Sequence, residues 1–273
     1  MTTPQPSGEW SRRRLLAMLA AAVVSAVVVV TGLVMAVLAA IGSHDSAEGG
    51  DARPERTWTA GPDGVRGDQY RDAVAAKAML TATESDLKPA PPSLDRPTRI
   101  QIPASASTGP ADVPSGFPHT PEGAAAQLAS IEIATLTSMS VQFARDVYDG
   151  WAQNSSQFDR WEIAQSIQSF HAHAGTVDGD GAVSVTATPA GAQIKGTDGP
   201  DWVLACVQLD VTAAAQEQMR FGFGHCERMQ WSGDRWLIAD GKQPAQAPST
   251  WPGSQRSLEA GWLMWVDHEG LHE

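Results

Sequence analysis

DWVLACVQLDVT at 201–212 and MRFGFGHCERMQW at 219–231 decide the fold. Both stretches are long and rich in β-branched, aromatic and other apolar residues, which predicts two antiparallel strands joined as a hairpin. Centring that hairpin on Gln216 pairs residues whose numbers sum to 432, and this sets Cys206 opposite Cys226. A cross-strand bridge there closes a loop of about 20 residues and contributes on the order of 3 kcal/mol by the chain-entropy argument. Two buried free thiols are the alternative, and an oxidising compartment favours the bridge.

Working outward, Ala182 to Thr188 alternates Val183, Val185 and Ala187, Ala192 to Gly196 is a shorter strand, and Arg235 to Ala239 closes the set. Before them the periodicity is helical. Thr120, Pro121 and Glu122 read as a helix start: Thr at the N-cap, Pro at the first helical position, Glu beside the positive helix end. The helix runs on from Ala124 to Tyr148 with Leu128, Ile131, Ala134, Leu136, Met139, Phe143 and Val147 on its buried face. A second helix, Ser156 to Ala174, places Phe158, Trp161, Ile163, Ile167 and Phe170 similarly. Two helices followed by a meander of four or five strands is an α+β layout, helices covering one face of a curved antiparallel sheet. The domain is expected at 117–243. A C-terminal tail follows at 244–273, irregular through its prolines and closed by a short helix at Ser257 to Trp265.

Further upstream, seven prolines between Lys88 and Gly116 forbid helix, and only Arg99 to Ile102 fits a brief strand. This segment is expected as an extended spacer. Together with a short helix near 70–87 and a Gly/Asp/Pro-rich stretch before it, the spacer makes 42–116 a linker. Ahead of the linker stands LLAMLAAAVVSAVVVVTGLVMAVLAAI at 15–41, 27 residues without a charge. As a helix it is about 40 Å long, enough to cross a bilayer with tilt. Arg12, Arg13 and Arg14 precede it in a short tail, 1–14, and a short Arg-rich flank stays cytoplasmic. The expectation is a single-pass cell-membrane protein with an extracytoplasmic C-terminal domain. A cleaved signal peptide is the rival, since SRRRLL resembles a twin-arginine signal, but such a core is usually about 7–15 residues.

Beyond residue 41 there are 16 basic and 30 acidic residues, a net of −14. Affinity for nucleic acid comes mainly from Lys and Arg neutralising phosphates, so this balance disfavours direct nucleic-acid binding.

No complete catalytic or nucleotide motif occurs. His171, His173 and His225 suggest a metal, but i and i+2 on a helix point apart. Asp178-Gly179-Asp180-Gly181 lacks the later oxygen ligands of a calcium loop and reads as a turn. No metal and no cofactor are therefore expected. Gly222 and Gly224 read as strand glycines at a bend or close contact, and Trp202, Trp231, Trp236, Trp251, Trp262 and Trp265 mostly as core. If the cone between helices and sheet holds a ligand, Asp201, Asp210, His225 and Glu227 are the polar candidates.

GFPHTPEGAAAQL at 116–128, KGTDGPDWVLACVQLD at 195–210 and CERMQWSGDRWLIADG at 226–241 resemble a family of actinobacterial membrane proteins linked to conjugative and integrative elements. The helix–helix–sheet order is similar to NTF2-like domains, and a single span followed by such a domain resembles VirB8- and TcpC-like transfer-channel components. The resemblance implies a non-enzymatic scaffold of a conjugative, type IV secretion-like apparatus. Its implied partners are membrane lipid, other channel or envelope proteins and further copies of itself. The departure is one compact domain on a long spacer.

Overall fold

The computed structural model describes residues 58–174, 183–214 and 218–267, all within one compact unit. The apolar stretch 15–41, Arg12, Arg13, Arg14 and the 178–181 turn lie outside the described residues. Among the described residues no helix is long and apolar enough to cross a membrane.

The hairpin is the centre of the molecule. Strands β5 (Trp202–Ala214) and β6 (Gln218–Ser232) pair antiparallel through 13 partners from Trp202↔Gln230 to Ala214↔Gln218, every pair summing to 432. Around them a six-stranded sheet forms in the order β1-β8-β4-β5-β6-β7, with β1 at Arg99–Ile102, β4 at Ser184–Thr197, β7 at Arg235–Ile238 and β8 at Leu263–Asp267. A small hairpin of β2 (Ser107–Thr108) and β3 (Pro114–Ser115) stands apart. The large sheet curls into a half-barrel, antiparallel except where β1 runs parallel to β8.

Of the five helices among the described residues, the second, third and fourth fill the inner face. α1 spans Asp68–Ala76, α2 Pro121–Ser138, α3 Val141–Trp151, α4 Glu162–Ala174 and α5 Gln255–Glu259. The start of α2 is built as its sequence predicts, Thr120 Oγ1 accepting from Gly123 N–H at 3.1 Å. Gly123 is required there because a Cβ would stand 2.0 Å from the Pro118 carbonyl oxygen.

Alternation on β5 divides the core. Val203, Ala205, Val207, Leu209, Val211 and Ala213 face the helices with Leu128, Ile131, Ile163 and Ile167. Trp202, Leu204 and Cys206 face the opposite side, where Val74, Ala75, Met79 and Leu80 and, from later in the chain, Ala247, Ala260 and Trp262 cover them. Both faces of the strand are buried, so VLACV reads as an unbroken apolar run.

Several expectations are revised. The helix expected from Ala124 to Tyr148 is two, α2 and α3. Met139 between them is left-handed (φ 48°), and Ser140 caps the new helix by accepting from Phe143 N–H at 3.3 Å. The Ser156 to Ala174 helix begins as a 3-10 turn, Ser155–Arg160, broken from α4 at Trp161. The two short strands after residue 182 are one, β4, bent by irregularities at Pro189/Gly191 and Ile194/Gly196. Of the helix expected at Ser257 to Trp265 only Ser257 to Glu259 is helical, as the end of α5, and Leu263 to Trp265 belong to strand β8, inserted between β1 and β4.

The segment read as linker and spacer is part of the domain from Trp58 onward. Ile100 and Ile102 are buried on β1, and Val113 is buried below them in sequence. The turn before α1 is tied to the sheet by the buried Asp198 carboxylate, which accepts from Arg66 N–H (2.6 Å), Gly67 N–H (3.0 Å) and Arg71 Nε (2.7 Å). After α1 the chain crosses the outer face, Met79 and Leu80 packing over the cysteines. The tail crosses beside it. Gly222 N–H donates to Leu87 O at 2.8 Å, and Trp251 N–H to Asp86 O at 2.6 Å. A Cβ at Gly222 would stand 1.9 Å from the Thr250 carbonyl oxygen, and one at Gly224 2.7 Å from that of Pro248, the close approach those glycines suggest.

Candidate functional site

Four titratable side chains meet between α2, α4 and the inner face of β6. His225 and Glu227 are two apart on β6 and so share that face, while Cys226 between them points outward. His225 Nδ1 lies 2.9 Å from Glu132 Oε1, and both side chains are fully buried. On the other side of the ring, Nε2 is 3.4 Å from Glu227 Oε1 and 3.9 Å from Glu162 Oε2. Neither contact closes a hydrogen bond: His225 Nε2 and Glu132 Oε2 are buried without a hydrogen-bond partner among the described residues.

Three carboxyl groups thus share one imidazole in a water-poor site. Burial pushes Glu227 up to about 7, helped by the charges of Glu132 and Glu162 and opposed by His225. Burial likewise raises Glu132, against the hydrogen bond and charge of His225. Burial alone would lower His225. The hydrogen bond to Glu132 and the charges of all three carboxylates outweigh it and hold the ring up at about 9.

Beside the cluster opens a cleft of about 540 Å³. Phe170 on α4, Leu136 at the end of α2 and Val211, Phe221 and Phe223 on the sheet give it apolar walls. Ser166, Ser169 and Gln165 line the α4 side, and Glu162 brings a carboxylate to the wall. Phe223 also stacks near the His225 ring, their centroids 6.3 Å apart.

Of the polar candidates, the structure brings together His225 and Glu227 only. Asp201 holds the His119 ring at 2.8 Å on a more exposed part of the surface, and Asp210 pairs with Arg220 at 2.9 Å. Glu132 and Glu162, which complete the cluster, escape a reading by motif. Glu132 leaves a signal nonetheless: with Leu128 and Leu136 it forms an i, i+4, i+8 row along the apolar stripe of α2, where a charge is out of place.

The histidines named as possible metal ligands serve different partners. His171 Nε2 lies 2.7 Å from the Met139 carbonyl oxygen, which holds the break between α2 and α3, and His173 Nδ1 lies 2.7 Å from Ser169 O. Among the described residues no group of three or more His, Cys, Asp or Glu has a metal-binding arrangement. Cys206 and Cys226 are joined as a disulfide, at the pairing that the hairpin register predicts. Of the tryptophans, Trp202, Trp236 and Trp262 are buried, whereas Trp231, Trp251 and Trp265 are half-buried.

Compared with known family models, curated proteins and solved structures, the chain matches none.

Proposed function

We propose that this chain is a non-enzymatic, membrane-anchored assembly component of a conjugative, type IV-like DNA-transfer apparatus, acting through an extracytoplasmic NTF2-like domain. The observation that carries the reading is the Cys206–Cys226 disulfide at the centre of the sheet. Such bridges persist in oxidising compartments, and the sequence supplies the matching topology: an apolar span preceded by three arginines. Helices laid in a curled sheet support the NTF2-like assignment. Among the described residues His225 is hydrogen-bonded to Glu132 and to no hydroxyl or thiol that it would activate as a nucleophile.

The test is genetic. In-frame deletion of the gene should depress transfer of the element that carries it while growth stays normal, and the intact gene in trans should restore it. An unchanged transfer frequency removes the proposal. A reporter fused after Glu273 that is active only in the cytoplasm overturns the topology with it.

The cleft favours a second reading, a membrane-tethered NTF2-like enzyme or small-ligand binder. Its volume falls within the range of small-molecule sites, about 300–1,000 Å³.

A further inference from the structure

The cleft against α4 has apolar walls on the sheet side and a single carboxylate, Glu162, among its lining residues. Glu162 is under-paired. The imidazole beside it, His225, gives its Nδ1 to Glu132, and its Nε2 stands 3.9 Å from Glu162 and 3.4 Å from Glu227 without closing a hydrogen bond to either. The side chain of Glu162 is 30 % exposed, so it is reachable from the cleft, while those of His225 and Glu132 are sealed beneath it. Three acids around one base give the site more carboxyl groups than cations, on a chain whose net charge is already −12.

Burying that imbalance costs free energy unless a cation supplies the missing partner. Among the described residues that line the cleft there is no Lys or Arg, and the His173 ring at its far end lies 2.7 Å from the Ser169 carbonyl oxygen.

From this geometry we infer that the cleft binds a small hydrophobic amine, its apolar body against Phe170, Val211, Phe221 and Phe223 and its ammonium group on the Glu162 carboxylate. The hydroxyls of Ser166 and Ser169 and the amide of Gln165 lie on the same wall to take the remaining N–H donors. A neutral molecule of the same shape gains the apolar contact alone. A carboxylate of that shape meets like charge and is excluded. The inference deepens the ligand-binding reading and is independent of a role in DNA transfer.

The full chain in phosphatidylcholine nanodiscs would be titrated with 2-(1-naphthyl)ethylamine, the matching naphthylethanol and the matching naphthylpropanoate, following probe fluorescence, with empty nanodiscs as blank. The amine should bind at least tenfold more tightly than the alcohol, and the carboxylate most weakly. Glu162→Gln should bring the amine to the level of the alcohol and leave the alcohol unchanged. Ser166→Trp, placed at the half-buried α4 wall, should abolish binding of the amine and the alcohol while the thermal midpoint stays within a few degrees of wild type. Equal binding of amine and alcohol, or an amine preference that survives Glu162→Gln, overturns the amine inference and leaves a ligand-binding cleft standing. If neither the amine nor the alcohol binds, both are overturned.

Discussion

Replacing Glu227 by Gln tests whether the buried acid cluster shapes stability as its geometry requires. In the folded protein Glu227 titrates at about 7, whereas an unhindered Glu titrates at 4.5. A group whose folded value is raised favours the fold in its protonated form. Its stabilisation is complete below pH 4.5 and is lost as pH rises to about 7. At 1.36 kcal/mol per unit the loss is about 3 kcal/mol. For a domain of this size that corresponds to a fall of roughly 6–12 °C in thermal midpoint between pH 4.5 and 7. His225, raised from 6.5 to about 9, carries the same sign into the next window, fully stabilising below 6.5 and lost through 9. The carboxylates with lowered values, Asp72, Glu84, Asp86 and Asp198, have the opposite sign, and their support is lost only on acidification below about pH 4. The measurement is the thermal midpoint of the purified protein from pH 5 to 9. Wild type should lose stability steadily across the range. Glu227→Gln should flatten the portion between pH 5 and 7, because the amide fills the same space without a charge to bury. A variant that keeps the full wild-type slope there would refute the assignment of that slope to Glu227.

Three further outcomes follow from contacts elsewhere. The double substitution Cys206→Ala/Cys226→Ala removes a bridge across 20 residues and should cost about 3 kcal/mol, read as a denaturation midpoint shift that a reductant reproduces in wild type and not in the variant. Asp198→Ala takes away the acceptor for Arg66, Gly67 and Arg71; it should cost about 2–4 kcal/mol, and limited proteolysis should then cut first near residues 60–70. Gly222→Ala forces a Cβ onto the Thr250 carbonyl, so it should destabilise by about 1–3 kcal/mol and raise hydrogen exchange at the amides of residues 222 and 251, whereas Gly233→Ala, which meets no neighbour and strains only its own left-handed turn (φ 70°), should leave the exchange of those two amides relative to the rest of the sheet unchanged.

What the sequence revealed and what it hid have one physical cause, the range over which the deciding contacts act. The β5–β6 register was legible because a hairpin is local and symmetric: once its centre is placed, every partner is fixed, and Cys206 must meet Cys226. The β1–β8 pair is the reverse case. Four residues, Arg99–Ile102, meet five near the C-terminus, Leu263–Asp267, and each run is too short to show a period of its own. Their pairing is paid for by burying Ile100 and Ile102 under α2, which no local pattern records. The break at Met139 was similarly hidden, since apolar spacing continues through it. Ser138-Met139-Ser140 carried the local clue, a serine able to cap whatever helix begins after it.

The candidate site divides along the same line. The sequence marks His225 and Glu227 only as two of four polar candidates on the hairpin, and they meet because residues two apart on a strand share one face. Glu132 was passed over because a helical Glu is ordinarily solvated, and only its place between Leu128 and Leu136 marks it as inward. Once Glu132 is inside, the rest is constrained: a buried carboxylate requires a cation, and His225 is the one that β6 presents to it. The pair leaves Glu162 and Glu227 to share the far side of the same ring, and it is this shortage of positive charge, set by the depth of α2 in the half-barrel, that gives the neighbouring apolar cleft its preference for an amine.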